Sequence, residues 1–424
     1  MVGMMEWRAI NKPEPPGERC AIRLALRLSN ASVAHLKSGH FIVQAQERIL
    51  YGQPAELAVV EEIARYGCER AFVVSTRSLG RLEDGPLRRI ERALGQRHAG
   101  TFVAVRSHTP REDVIAGAKA ARETGADVLV AVGGGSVIDA TKIMQLCLWL
   151  QLETPAALEP YRHGAAPEVA RKCCPPANAI RMISVSTTLS AAEFTSSAGL
   201  TDTTINAKQS VSHRLLVPRS AVLAPAATLD TPPWLLFCTG IRAVDHAVES
   251  YCSPKANPAT ENTSLLGLAL LSQALPAIKA NAHDLEARMN AQFGMWQAIA
   301  ANAAGVPNGA SHGIGYVLGA TYNVAHGHTS CVMLPAVLQW NAAVNGERQR
   351  ALAAAMGQPD REAGDLVKDL VRELDQPTCL RDVGIRREDL PAIAQRAVGY
   401  GPVKTNPRPV GTAEDVMEIL EIAW

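Results

Sequence analysis

An excess of charge of one sign is missing from this chain. Its 424 residues carry 42 Lys and Arg against 41 Asp and Glu, a formal charge of +1. No long-range field therefore draws it to nucleic acid or to an anionic membrane. Aromatic residues are scarce at 4%, too few for a base-stacking platform. None of the nine cysteines forms a C-x-x-C pair. The adjacent Cys173 and Cys174 have poor geometry for a structural bridge, so the thiols read as reduced and the compartment as cytoplasmic. No run approaches the ~18 consecutive apolar residues of a membrane span. Residues 1–38 include Glu6, Glu14 and Glu18 and lack an apolar central stretch, so they read as a disordered extension rather than a targeting signal. Neither a Walker A loop nor G-x-G-x-x-G occurs, so neither of those phosphate-binding fingerprints applies.

What is present is apolar mass: 47% hydrophobic residues over a length that favours two or three domains. Regular structure is expected from Gly39, with two short β-like runs in "GHFIVQAQERILYG". A helix over "PAELAVVEEIARYG" and a strand "RAFVVST" follow, then a helix through "GPLRRIERALG" and a strand "TFVAV". "PREDVIAGAKAARETG" reads as a helix closed by glycine, and "ADVLVAVGGGSVIDATKIMQLCLWL" as a buried strand, a glycine turn and a helix. Strands alternating with helices predict a parallel, doubly wound sheet in an α/β dinucleotide-binding domain over residues 39–201. Residues 202–232 read as a β-rich connection, and 233–424 as an all-α helical domain. "EPYRHGAAPEVARKCCPP" reads as a proline-rich loop.

The glycine turn is the first site. Gly133, Gly134 and Gly135 stand between a strand and a helix, where amides can meet phosphate oxygens closely. Ser136 is the expected N-cap, and Asp139 could bond back to loop amides. At the end of an earlier strand, Ser75, Thr76 and Arg77 offer no acid for a ribose 2′-hydroxyl. NADP(H) is therefore admitted beside NAD(H), with Arg77 as a partner for a 2′-phosphate. Thr187, Thr188 and Ser190, in "ISVSTTLSAAEFTSSAG", can line a polar cofactor or substrate pocket.

The second site lies in "TGIRAVDHAVES" and "GASHGIGYVLGATYNVAHGH". Thr239 and Gly240 are cap candidates for a helix on which Arg242, His246 and Glu249 share one stripe. His312 and Tyr316 are one turn apart, and His326 follows in the same glycine-rich stretch.

These elements together resemble the iron-containing (group III) alcohol dehydrogenase superfamily, in its maleylacetate reductase-like branch. The motifs are the GGGSxxDxxK-type turn at Gly133–Lys142, "STTLSAAEFT", "LLVPRSAVLAP", "TGIRAVDHAVE", "SHGIGYVLGATYNVAHG" and "NPRP". They span about nine-tenths of the chain in the family's order. The resemblance implies a dehydroquinate synthase-like architecture, a cleft between the two domains and a homodimer. It also implies a divalent metal, Fe or Zn, held by one Asp and three His. The His positions correspond to His246, His312 and His326, whereas the Asp position is Arg242. A further His of the family is Tyr316 here. Unit charges ~4 Å apart repel by about 4 kcal/mol at an effective dielectric of 20, so Arg242 disfavours the ion. Asp245 or Glu249 would have to replace the lost ligand. Maleylacetate reductases are the branch regarded as working without metal, which the resemblance links to aromatic compound degradation.

The expectation is therefore NAD(P)H-dependent hydride transfer to a small-molecule carboxylate, an unsaturated oxoacid. Arg242 with Lys208 or Arg214 would hold anionic oxygens, and His246, His312 or Tyr316 would supply the proton. Two other readings stay open here: a metal-dependent alcohol dehydrogenase with rearranged ligands, and a catalytically inactive nucleotide-binding paralogue. Arg242 could also turn outward and pair with Asp245 or Glu249.

Overall fold

Six short segments pair side by side as parallel strands. They are β1 (Arg48–Tyr51), β2 (Ala71–Val74), β3 (His98–Phe102), β4 (Val128–Gly133), β5 (Arg181–Ser186) and β8 (Ser220–Leu223). The computed structural model describes residues 39–165, 175–176, 178–205 and 207–424. The extension over 1–38, Cys173–Cys174 and part of the proline-rich loop lie outside the described residues. The strand order is β1-β8-β5-β4-β2-β3, with every neighbouring pair parallel.

Both faces of this sheet are covered, so β2 and β4 are unbroken apolar runs rather than alternating ones. Successive side chains still point to opposite faces. Val128, Val130 and Val132 pack against α1 (Ala55–Tyr66) and α2 (Pro86–Leu94). Leu129 and Ala131 pack against α3 (Arg111–Glu123) and α4 (Gly135–Leu150). From β2 the sheet grows outward to β3; from β4 it grows the other way through β5. The C-terminal ends of β2 and β4 therefore flank the topological switch point, where open α/β sheets bind ligands.

The hairpin β6 (Ser197–Asp202) and β7 (Ala207–Ser212) stands outside the sheet as an antiparallel pair. Chain beyond residue 201 returns to the sheet, because β8 is inserted between β1 and β5. Two local expectations shift. Ile42 N–H donates to Ala304 C=O, so the first β-like run meets a helical connection instead of a strand. The third strand begins at His98, three residues before "TFVAV", because its pairing with Ala71 sets the register.

Helices fill the rest: α5 (Pro233–Cys252), α6 (Pro258–Ala280), α7 (Leu285–Ala303), α8 (Ala310–Tyr322), α9 (His326–Ala355), α10 (Ala363–Glu373), α11 (Leu390–Ala397) and α12 (Ala413–Ile422). Helix α9 breaks at Asn345, whose backbone is not helical. Helix α6 is long and apolar enough to cross a membrane by length and composition. A count of consecutive apolar residues passes over it, since Asn262, Ser264 and Gln273 interrupt the run. In the fold its Leu268, Leu271, Leu275 and Ile278 are buried in the helical core. Helix α5 starts at Pro233, not at Thr239: Thr239 lies mid-helix and its Oγ1 donates to Leu235 C=O at 2.8 Å.

Candidate active site

At the switch point, β4 ends on Gly133 and α4 begins on Gly135, with Gly134 as N-cap and no side chain capping the turn. A Cβ on Gly134 would lie 2.8 Å from Thr188 Cγ2, and one on Gly135 3.1 Å from Ser190 Oγ. Thr188 Oγ1 and Ser190 Oγ are both buried without a hydrogen-bond partner. Orphaned hydroxyls beside a helix N-terminus are costly unless a ligand supplies their partners, and phosphate oxygens suit both features. The residues present therefore fit the pyrophosphate of a dinucleotide. Thr187 shapes the cradle through its backbone: its amide donates to Gly133 C=O at 3.1 Å, and its C=O accepts from Thr231 Oγ1 at 2.6 Å.

Other predicted cofactor residues are engaged by the protein itself. Ser136 does not cap α4. Its Oγ accepts from the His108 amide at 3.2 Å and its C=O from Thr109 Oγ1 at 3.1 Å, tying the turn to the preceding loop. Asp139 reaches β6 rather than loop amides, accepting from Gly199 N–H at 2.9 Å. Buried Lys142 lies 3.6 Å from Asp139 and donates to the carbonyls of Ala192 and Ser197, both at 2.7 Å. At the end of β2, Ser75 Oγ donates to Val132 C=O at 2.7 Å, and Thr76 Oγ1 accepts from Leu79 N–H at 3.4 Å. Arg77 is exposed beside them.

The second centre forms where α5, α8 and α9 meet. Arg242, Asp245, His246 and Glu249 all come from α5, and Arg242 is turned inward at 4% exposure. His246 Nδ1 and His312 Nε2 are 3.1 Å apart in a hydrogen bond. Tyr316 meets His312 edge-on at 6.4 Å and stacks on His326 at 6.3 Å and 4°. The Arg242 guanidinium lies 6.0 Å from the Tyr316 ring centroid. Five residues from three helices are thus brought together. His326, the first residue of α9, has the most exposed surface of the five.

Two buried carboxylates lie behind this cluster. Glu249 accepts the amides of Gly309 and Ser311, each at 2.7 Å, and His312 Nδ1 at 2.8 Å. It thereby caps the N-terminus of α8 from another helix. Asp245 Oδ2 accepts the hydroxyls of Ser311 at 2.8 Å and Ser330 at 2.6 Å, and lies 3.3 Å from His312 Nδ1. Burial works against the Asp245 carboxylate, but His312 and Arg242 outweigh it and hold its pKa down at about 2. Burial and Arg242 pull His312 downward, yet Asp245 and Glu249 hold it above its ordinary value. Burial, His312 and Arg242 keep His246 well below its ordinary value. The Arg242 charge, then burial and Lys208, do the same to His326.

The ligand set that the resemblance implies, with Arg242 in place of its Asp beside His246, His312 and His326, does not fit a divalent ion. The anionic ligand position holds a guanidinium, and that cation suppresses protonation of His246 and His326 just as it would oppose a metal. Asp245, Glu249 and His312 do bring three ligand atoms within 4.8 Å of one another. Asp245 Oδ2 and both Glu249 oxygens already accept from hydroxyls, backbone amides or His312, whereas Asp245 Oδ1 is buried without a partner.

Lys208, on β7, approaches from the hairpin: its Nζ would lie 3.2 Å from a Cβ on Gly319 of α8. Desolvation, then Arg242, lowers its pKa, which places it within electrostatic reach of the centre. Arg214 is not brought in. It lies close to Arg181, at the opposite end of β5 from the glycine turn, where burial, Arg219 and Arg214 depress the Arg181 pKa. Sequence reasoning passed over Ser311 and Ser330. Ser330 stands four residues after His326 on α9, so a helical stripe drawn from that histidine would have found it.

Residues 46–225 match the iron-containing alcohol dehydrogenase family, and residues 237–424 match the C-terminal part of the Fe-containing alcohol dehydrogenase family. A dehydrogenase from Gibberella moniliformis is 31% identical over 411 residues, covering 88% of this chain and 95% of that protein. Maleylacetate reductase 1 of Cupriavidus pinatubonensis is 27% identical, covering 88% and 93%. The crystal structure of maleylacetate reductase from a Rhizobium species superposes with a TM-score of 0.76 at 26% identity, over 92% of this chain and 99% of that one. With a parallel α/β sheet before a helical half and a cationic centre on α5, the chain belongs to the iron-containing alcohol dehydrogenase family, in its maleylacetate reductase-like branch.

Proposed function

We propose that the chain is an NAD(P)H-dependent reductase of a carboxylate-bearing unsaturated oxoacid, of the maleylacetate type. It works without a divalent metal, as a cytoplasmic homodimer. The observation that carries this reading is the buried Arg242 guanidinium at the position of the family's carboxylate ligand, 6.0 Å from the Tyr316 ring centroid and holding the His326 pKa down by its charge.

Gly133–Gly135 with Thr188 and Ser190 would hold the dinucleotide phosphates, and the bound nicotinamide would supply the hydride. The absence of a carboxylate beside Thr76 leaves both NADH and NADPH admissible, Arg77 favouring the latter. Hydride delivered to a carbon conjugated to a carbonyl moves an electron pair onto the carbonyl oxygen. Arg242 neutralises that oxyanion where a metal would otherwise polarise the carbonyl. Lys208 holds a carboxylate at the mouth of the cleft. A proton then returns to carbon from Tyr316 or from the His312–His246 pair. The test is oxidation of NADH and NADPH with maleylacetate, set against oxidation of simple alcohols. Turnover of the oxoacid alone supports the reading; turnover of alcohols alone overturns it.

A second reading is favoured by one observation. Asp245, Glu249 and His312 are close enough to share an ion, which would make the protein a metal-dependent alcohol dehydrogenase with rearranged ligands.

A further inference from the structure

Arg242 is aimed by a hydroxyl, its ion pair with Asp245 being too long for a hydrogen bond. Its Nη1 donates to Ser330 Oγ at 3.0 Å, whereas Asp245 Oδ2 lies 3.9 Å away. Ser330 donates its own proton to that same oxygen at 2.6 Å, and Ser311 anchors the oxygen from α8 at 2.8 Å. Ser311, Ser330 and Asp245 are all fully buried. A hydroxyl has one proton, so Ser330, having given it to Asp245, can only accept from Arg242. The direction of the chain is therefore set. A guanidinium is planar, so holding one nitrogen orients the whole fork. Its Nε is left buried without a partner, a donor that a ligand oxygen would satisfy.

We propose that Ser330 is the positioning residue of the substrate site. It keeps Arg242 from closing onto Asp245 in a hydrogen-bonded pair and so leaves the free edge of the guanidinium for a substrate oxygen. This rests on the reading that Arg242 meets an anionic substrate. Without the Ser330 hydroxyl, the Asp245 carboxylate is the nearest anion and draws the fork onto itself.

The experiment is calorimetric binding of maleate to the full-length protein saturated with NAD⁺, with NAD⁺ affinity as the check on folding. Ser330→Ala is expected to weaken maleate about tenfold, the scale of one hydrogen bond to a charged group. Ser330→Thr, which restores the hydroxyl, is expected to bind within about threefold of the wild type on the same scale. Ser330→Ala added to Arg242→Ala should cost nothing further, because the serine acts only through the arginine. Should the alanine fail to fold, Ser311→Ala removes the second anchor of Asp245 and should show a smaller loss of the same kind. Unchanged maleate affinity in Ser330→Ala, or a loss that adds to that of Arg242→Ala, overturns the proposal while Arg242 stands. Absence of maleate binding to the wild type, unchanged by Arg242→Ala, overturns the reading beneath it and the proposal together.

Discussion

Glu193 shows how much one residue can cost. It is fully buried, both carboxylate oxygens lack a partner, and burial pushes its pKa up to about 7. A carboxyl group whose folded pKa exceeds its unfolded value favours the folded state at low pH. That advantage is present below the unfolded value of 4.5 and is lost as pH rises through about 7. Glu193→Gln should therefore stabilise the protein by about 3 kcal/mol at pH 8 and by little at pH 4. Urea midpoints at the two pH values check this; equal gains at both would contradict it. The motif "SAAEFT" marked this residue as part of the family pattern. Nothing in the motif said that its acid would be sealed without a partner, because burial is decided by chain from other segments.

At the scale of elements, two helix N-termini define the two centres. Helix α4 keeps its N-terminus uncapped beside Thr188 and Ser190. Gly134→Ala would drive a methyl into Thr188 at 2.8 Å, and dinucleotide affinity should fall about tenfold or more as the cradle fills. Fluorescence titration with NADH and NADPH measures this. Helix α8 is capped instead by Glu249 from α5, and Gly309 leaves room for it, since a Cβ there would sit 2.8 Å from Glu249 Oε1. Glu249→Gln keeps the shape but loses the charge that complements two amides and His312. Unfolding free energy should drop by about 2 kcal/mol, at the upper end of helix-terminus charge effects. An unchanged denaturant midpoint would contradict that assignment. The stripe Arg242, His246, Glu249 was legible from spacing alone. The division of labour within it was not: Arg242 and His246 face the centre, while Glu249 serves another helix. Spacing gives direction around one helix but not the identity of what packs there.

At the scale of the whole molecule, the order of elements was legible because buried strands such as β2 and β4 are apolar runs and α1 and α2 end on glycine. Gly67, for example, closes α1 in a left-handed conformation at φ 66°. The position of β8 was not legible. Its partner β1 lies some 170 residues earlier in the chain, and no local pattern encodes that pairing. The same limit applied to Arg214 and Lys208, two cations of one hairpin region. Only Lys208 is turned toward α8, because β7 carries it there.

The central claim, that a guanidinium stands in for a metal ion, is tested most directly by chelation. NADH and NADPH oxidation with maleylacetate would be followed before and after exhaustive removal of divalent ions from the purified protein. Turnover that survives unchanged is the predicted result. Turnover abolished by the chelator and restored by Fe²⁺ or Zn²⁺ would contradict it, and would make Asp245, Glu249 and His312 the ligands to mutate next.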